Sequence, residues 1–143
     1  MIPKGAKIFP LKAEGKLPKY AGWQENAVAV DQPGHPKGNY GILLDNMFLV
    51  VDIDVDHPER AAFEASLPST WTQRTGRTSC VGVHYLYKVP ADFKGKNTVY
   101  KASDGTRIAD IKCNGFIVGP GSVINGNPYY MINEMEPLQL CRT

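Results

Sequence analysis

Hydrophobic positions along this chain fall mostly into short runs with alternate spacing, and only one stretch carries the spacing of a helix. Residues 47 to 55 are rich in Val, Ile and Leu, which predicts a buried strand. Asp56 and Glu59 follow with capping-box spacing, and Pro58 falls in the first turn of the helix they would open. That helix is expected to run through Arg60, Ala61, Ala62, Phe63, Glu64 and Ala65 and to stop before Pro68. Further strands are predicted over 81–89, 107–113 and 116–118, with a last one near 129–132. Pro3, Pro10, Pro18, Pro33 and Pro36 break the first 40 residues into loops and short extended pieces, so regular structure is expected from about Tyr40. Several strands with one helix predict an α+β fold rather than a doubly wound α/β one.

Length and composition set the frame. At 143 residues, 43% hydrophobic and 21% charged, the chain fits one domain over 1–143 with a sizeable core. No apolar run reaches the roughly 18 residues of a membrane span, and no signal-peptide core precedes the first strand, so a soluble protein with no membrane partner is expected. Cys80, Cys113 and Cys141 form no CxxC pair and imply neither a disulfide framework nor a zinc site. A reducing cytoplasm is the simplest setting. The net charge of +2 does not by itself point to nucleic acid, but Lys4, Lys7, Lys12, Lys16 and Lys19 cluster ahead of Tyr20 with only Glu14 opposing them. That cluster suits a phosphate-contacting arm as well as it suits a plain solvated N-terminus.

Three predicted strands each carry a polar residue where it is costly. In Val50-Val51-Asp52-Ile53-Asp54 the alternation of a strand puts Asp52 and Asp54 on one face, with Val51, Ile53 and Val55 on the other. Neighbouring carboxylates repel, and a cation between them removes the conflict; hard oxygen donors suit Mg²⁺ or Mn²⁺. A strand ending in solvent would explain the same pair. An EF-hand loop starting at Asp52 would not, because its sixth position is His57 and its twelfth Phe63. On the second strand, His84 shares a face with Gly82, Leu86 and Lys88 and either donates to a phosphate oxygen or is a satisfied core histidine. Upstream, the hydroxyls and guanidinium of Thr75-Gly76-Arg77-Thr78-Ser79 suit a triphosphate tail or an ordinary turn. On the third strand Asp110 and Lys112 share a face, either as metal ligand and phosphate partner or as a surface ion pair worth little. A Gly/Pro-rich loop, Gly119-Pro120-Gly121-Ser122, follows the apolar Phe116-Ile117-Val118. Three carboxylates, a histidine and a lysine on strands match the inventory of metal-assisted phosphoryl transfer.

In order and spacing these segments resemble the primase-polymerase (Prim-Pol) family of the archaeo-eukaryotic primase superfamily. Asp52 and Asp54 match its acidic strand motif. Leu67-Pro68-Ser69-Thr70-Trp71-Thr72, Thr75-Gly76 and His84-Tyr85-Leu86-Tyr87 look like its histidine motif. Asp110-Ile111-Lys112 with 115–123 looks like the third, and Phe9-Pro10-Leu11, Lys19 and Trp23 resemble the opening segment, so the likeness extends from about Phe9 to Tyr130.

The resemblance implies a catalytic domain with a mixed or antiparallel sheet and few helices, in which 1–40 is an irregular basic leading segment and 41–132 the catalytic core. It implies a DNA primase or polymerase that makes or extends primers in DNA replication, with two Mg²⁺ or Mn²⁺ ions. Asp52, Asp54 and Asp110 would be the metal ligands. His84 would be catalytic and nucleotide-binding, and Lys112, Arg77 and Ser79 would be nucleotide-binding. Single-stranded DNA template and nucleoside triphosphates are the implied partners, along with a helicase or accessory helical domain. Three departures are read from the sequence: Cys80-Val81-Gly82-Val83 keeps one glycine where the family has a glycine-rich stretch, the helix that commonly precedes the opening segment is expected to be absent, and no helicase or accessory helical domain is expected after Leu138. An excised domain is expected, or a compact version of the kind a phage or plasmid encodes, acting in the cytoplasm of its host. Two rivals stand beside this reading: a non-catalytic nucleic-acid-binding module, and another metal-dependent phosphotransfer enzyme such as a nuclease. A polymerase-beta type nucleotidyltransferase fits less well, because Gly41-Ile42-Leu43-Leu44-Asp45 lacks the Gly-Ser pair expected upstream.

Overall fold

The computed structural model describes residues 2–30, 37–76 and 80–141. In chain order the elements are β1 (Lys7–Pro10), α1 (Trp23–Asn26), β2 (Val28–Ala29), β3 (Tyr40–Leu43), β4 (Phe48–Ile53), α2 (Arg60–Ser66), β5 (Trp71–Arg74), β6 (Val83–Lys88), β7 (Thr98–Lys101), β8 (Arg107–Lys112), β9 (Phe116–Val118), β10 (Val123–Ile124), β11 (Asn127–Pro128), β12 (Tyr130–Asn133) and β13 (Leu138–Gln139). With two short helices among the described residues, the fold is mainly β, which corrects the α+β expectation. Helical spacing occurs only around α2. Elsewhere β-branched and aromatic residues at alternate positions favour strands, and a seven-residue helix cannot form a layer of its own.

The strands form two main sheets. The small one has the order β2-β1-β3-β9, and the large one β12-β5-β6-β4-β8-β7. β13 runs parallel to the last residues of β6, where β5 has ended. β10 and β11 form a separate antiparallel pair.

One face of the large sheet looks toward the small sheet. Trp71, Leu86 and Val50 stand opposite one another across β5, β6 and β4. They pack with Phe48 and with Ile8, Ile42, Leu44 and Ile117 of the small sheet and its margin. Each such side chain contributes roughly 1.5–3 kcal/mol by leaving water. The opposite face carries Val51, Ile53, Tyr87 and Ala109, against which Phe63 of α2 and Leu67 just after it pack. Tyr85 and Tyr87 fasten that side: their hydroxyls donate to Glu64 Oε1 at 2.5 Å and to the Pro68 carbonyl at 2.8 Å. Burial first, then the Glu64 carboxylate, push the Tyr85 pKa well up, so its hydroxyl stays a donor.

The helix covers Arg60 to Ala65 as the sequence places it, but it starts about a turn later than a box opened at Asp56 would start it, and the capping box does not form. Glu59 is the N-cap and makes no side-chain cap. Its N–H donates to His57 Nδ1 at 3.0 Å, and its carboxylate accepts from the Ser103 backbone at 3.1 Å and from the Ser103 hydroxyl. Arg60 ties the helix inward instead, donating to Glu64 Oε2 at 2.9 Å and to the Val55 carbonyl at 3.1 Å. Cys80, Cys113 and Cys141 are unpaired. Among the described residues no helix is long and apolar enough to cross a membrane.

Candidate nucleotide and cation site

The face of the large sheet that carries Trp71, Leu86 and Val50 continues two residues further along each strand, and there its chemistry changes. Gln73 of β5 stands opposite His84 of β6, His84 opposite Asp52 of β4, and Asp52 opposite Asp110 of β8. Directly paired residues project to the same side, so four strands contribute one polar row. Asp54 lies one residue beyond β4, on the same side as Asp52 by alternation. Lys112 lies two residues from Asp110 on β8, opposite Val50.

The two strand-borne acidic positions are neutralised by different groups. Asp52, whose side chain is 13% exposed, has His84 Nε2 at 3.4 Å from one oxygen and Lys112 Nζ at 3.5 Å from the other. Burial alone would raise its pKa; the contacts with His84 first and then with Lys112 outweigh burial and hold it below the usual carboxylate range. Asp110 accepts from Arg107 Nη1 at 3.1 Å, and Arg107 Nη2 donates to Asp54 at 3.2 Å. One guanidinium thus bridges two carboxylates that are more than fifty residues apart in sequence.

Beside Asp52 and His84 of the row is a cleft of about 430 Å³. Asp52, His84 and Lys112 line one part of it and Phe116, Ile117 and Val118 of β9 another, with Trp23, Tyr129 and Lys16 also contributing. Trp23 is held edge-on against Phe116 at 5.0 Å and tilted against Phe9 at 4.8 Å, so this apolar wall is a packed aromatic cluster. The cleft therefore places basic and imidazole groups beside an aromatic surface, a combination whose chemistry suits a phosphate-bearing aromatic ligand.

Of the residues singled out from sequence, Asp52, Asp54, Asp110, His84 and Lys112 converge on this one side. Arg77 and Ser79 lie outside the described residues. The Gly119–Ser122 loop belongs to the fold instead. The Tyr40 ring occupies the place a β-carbon at Gly119 would need, Tyr40 donates its hydroxyl to the Pro120 carbonyl at 2.6 Å, and Ser122 Oγ accepts the Tyr40 N–H at 3.2 Å. Gln73 and Arg107 went unread in the sequence, because their importance comes from strand register. Lys16 was visible only as part of a basic cluster.

Whether this donor set suits a divalent cation is a question of chemistry and register. Among the described residues no three acidic, histidine or cysteine side chains are already gathered about one point. The carboxylates nonetheless project from adjacent positions, are hard oxygen donors, and already hold positive charge. Arg107 is 38% exposed, with room to turn toward solvent. The residues fit Mg²⁺ or Mn²⁺ in donor type.

A family model described as "Bifunctional DNA primase/polymerase, N-terminal" matches residues 1–142. A search of curated proteins finds no match to the chain.

Proposed function

The chain belongs to the bifunctional DNA primase/polymerase N-terminal (Prim-Pol) family, and from that premise we propose that it is a template-dependent nucleotidyltransferase that binds its nucleoside triphosphate in the cleft beside the polar row. The observation that carries the proposal is the register Gln73–His84–Asp52–Asp110 across four strands, with Lys112 beside it. In this reading the aromatic wall of Trp23 and Phe116 receives the base and sugar, while His84 and Lys112 reach the phosphates. Asp52, Asp54 and Asp110 would hold Mg²⁺ or Mn²⁺. Such an ion, when bound, acts as a Lewis acid that offsets charge on the phosphates and on the primer hydroxyl. The reaction joins a primer 3′-hydroxyl oxygen to the α-phosphorus and releases pyrophosphate. The chain's own part is to hold the triphosphate in line and exclude water from it.

A second reading, a nucleic-acid-binding module without turnover, is favoured by one observation: Arg107 already satisfies Asp54 and Asp110. One assay separates the two. The protein is incubated with single-stranded DNA, with and without a primer, labelled nucleotides and Mn²⁺ or Mg²⁺, and the products are sized. Incorporation that Asp52→Asn abolishes supports the enzyme. DNA binding without incorporation under either ion supports the module, and primer shortening points to a nuclease.

A further inference from the structure

Gln73 is fully buried opposite His84, and its amide nitrogen has two partners. Nε2 lies 2.7 Å from the Val118 carbonyl oxygen and 2.9 Å from His84 Nδ1. The first contact decides the orientation of the amide. Turned over, it would press Oε1 against a carbonyl oxygen, acceptor against acceptor. With the nitrogen in that place, His84 Nδ1 faces an N–H and must present its lone pair. The imidazole proton then sits on Nε2, the nitrogen nearest Asp52, in a residue that lines the cleft. At 3.4 Å the Asp52 contact is long, so that proton can be shared with another acceptor.

We infer that Gln73 is a positioning residue that locks His84 in the Nε2–H tautomer, so that the ring offers the cleft a hydrogen-bond donor rather than a lone pair. The phosphate oxygens of a nucleotide are acceptors, and the other tautomer would set lone pair against lone pair. The phosphate half of this inference rests on the proposed function; the tautomer half does not. Packing alone does not account for Gln73, because its Oε1 is buried without a hydrogen-bond partner among the described residues, an arrangement that lowers stability relative to an apolar residue of similar volume.

The test reads the ring directly. Long-range ¹H–¹⁵N NMR correlations of the His84 ring at neutral pH are compared for the wild type, Gln73→Leu and Gln73→Glu, and dATP affinity is measured for the wild type and Gln73→Leu. The expected wild-type spectrum has its proton on Nε2 alone. Gln73→Leu releases the ring to a mixture of tautomers and weakens dATP binding roughly tenfold, about one hydrogen bond's worth. Gln73→Glu, which supplies only acceptors, moves the proton to Nδ1. A wild-type proton on Nδ1, or an unchanged tautomer in Gln73→Leu, overturns the inference; these two spectra decide it even if Gln73→Glu does not fold. A wild type with its proton on Nε2 that binds no dATP upholds the tautomer and overturns the nucleotide reading of the cleft.

Discussion

Two ends of one β face do opposite things in this protein. At one end Trp71, Leu86 and Val50 meet the small sheet and are almost entirely buried. Two residues along, roughly 7 Å away, the same strands present Gln73, His84, Asp52 and Asp110. The apolar end is what holds the sheets together. The polar end adds little to that: Asp52 is balanced by His84 and Lys112, and Gln73 Oε1 has no hydrogen-bond partner among the described residues. Asp52 and His84 line the cleft instead of packing into the core, which marks them as candidates for binding and chemistry.

The contrast breaks most visibly if the polar end proves dispensable. Asp110→Asn is expected to lower nucleotide incorporation by about 1,000-fold, the effect of losing several kcal/mol of charge stabilisation. Its thermal midpoint should stay within a few degrees of the wild type. Next in size is the apolar end. Leu86→Ala should cost about 3 kcal/mol in urea denaturation, and a loss below about 1 kcal/mol would show that this end does not carry the core. A smaller effect concerns the guanidinium. If the proposed cation site is right, Arg107 would compete with the ion for Asp54 and Asp110, so Arg107→Ala should tighten Mn²⁺ binding about fivefold while costing at most about 1 kcal/mol of stability. Weaker Mn²⁺ binding would mean that Arg107 supports the site instead.

The smallest effect is a control away from that face. The Thr106 N–H first, then His57, lower the Asp104 pKa to about 2 from its ordinary 3.8. A depressed carboxylate contributes fully above its unfolded pKa and loses that contribution as pH falls through the folded one. Asp104→Asn should therefore flatten the fall of stability between about pH 4 and 2, followed by acid unfolding. Incorporation at neutral pH should not change.

The legible parts of the fold were those whose pattern matched a single period. β4, β6, β8 and β9 could be read because their apolar residues alternate or run together, and α2 because Pro58 and the alanines mark it. β5 was missed because Thr72, Gln73 and Arg74 look like loop residues; Thr72 and Gln73 are buried through hydrogen bonds that only the folded register supplies. β1 is a four-residue strand ending at Pro10, among prolines that suggest loops, and β7 is an exposed edge whose residues show no buried side. The α+β expectation failed because one clear helix was given the weight of a layer. In the site, the acidic positions were legible from alternation within a strand. Gln73 and Arg107 were not, since their partners are set by how β5 meets β6 and how β8 meets β4.

As proposed, the polar end of the face would hold a divalent cation. Titrating Mn²⁺ into ¹⁵N-labelled protein tests it by paramagnetic broadening. The amide signals of Asp52, Asp54 and Asp110 should broaden first and those of Leu86 and Trp71 later, with the pattern lost in Asp52→Asn. Broadening centred on an unrelated acidic residue such as Glu134, or a pattern that Asp52→Asn leaves unchanged, would contradict it.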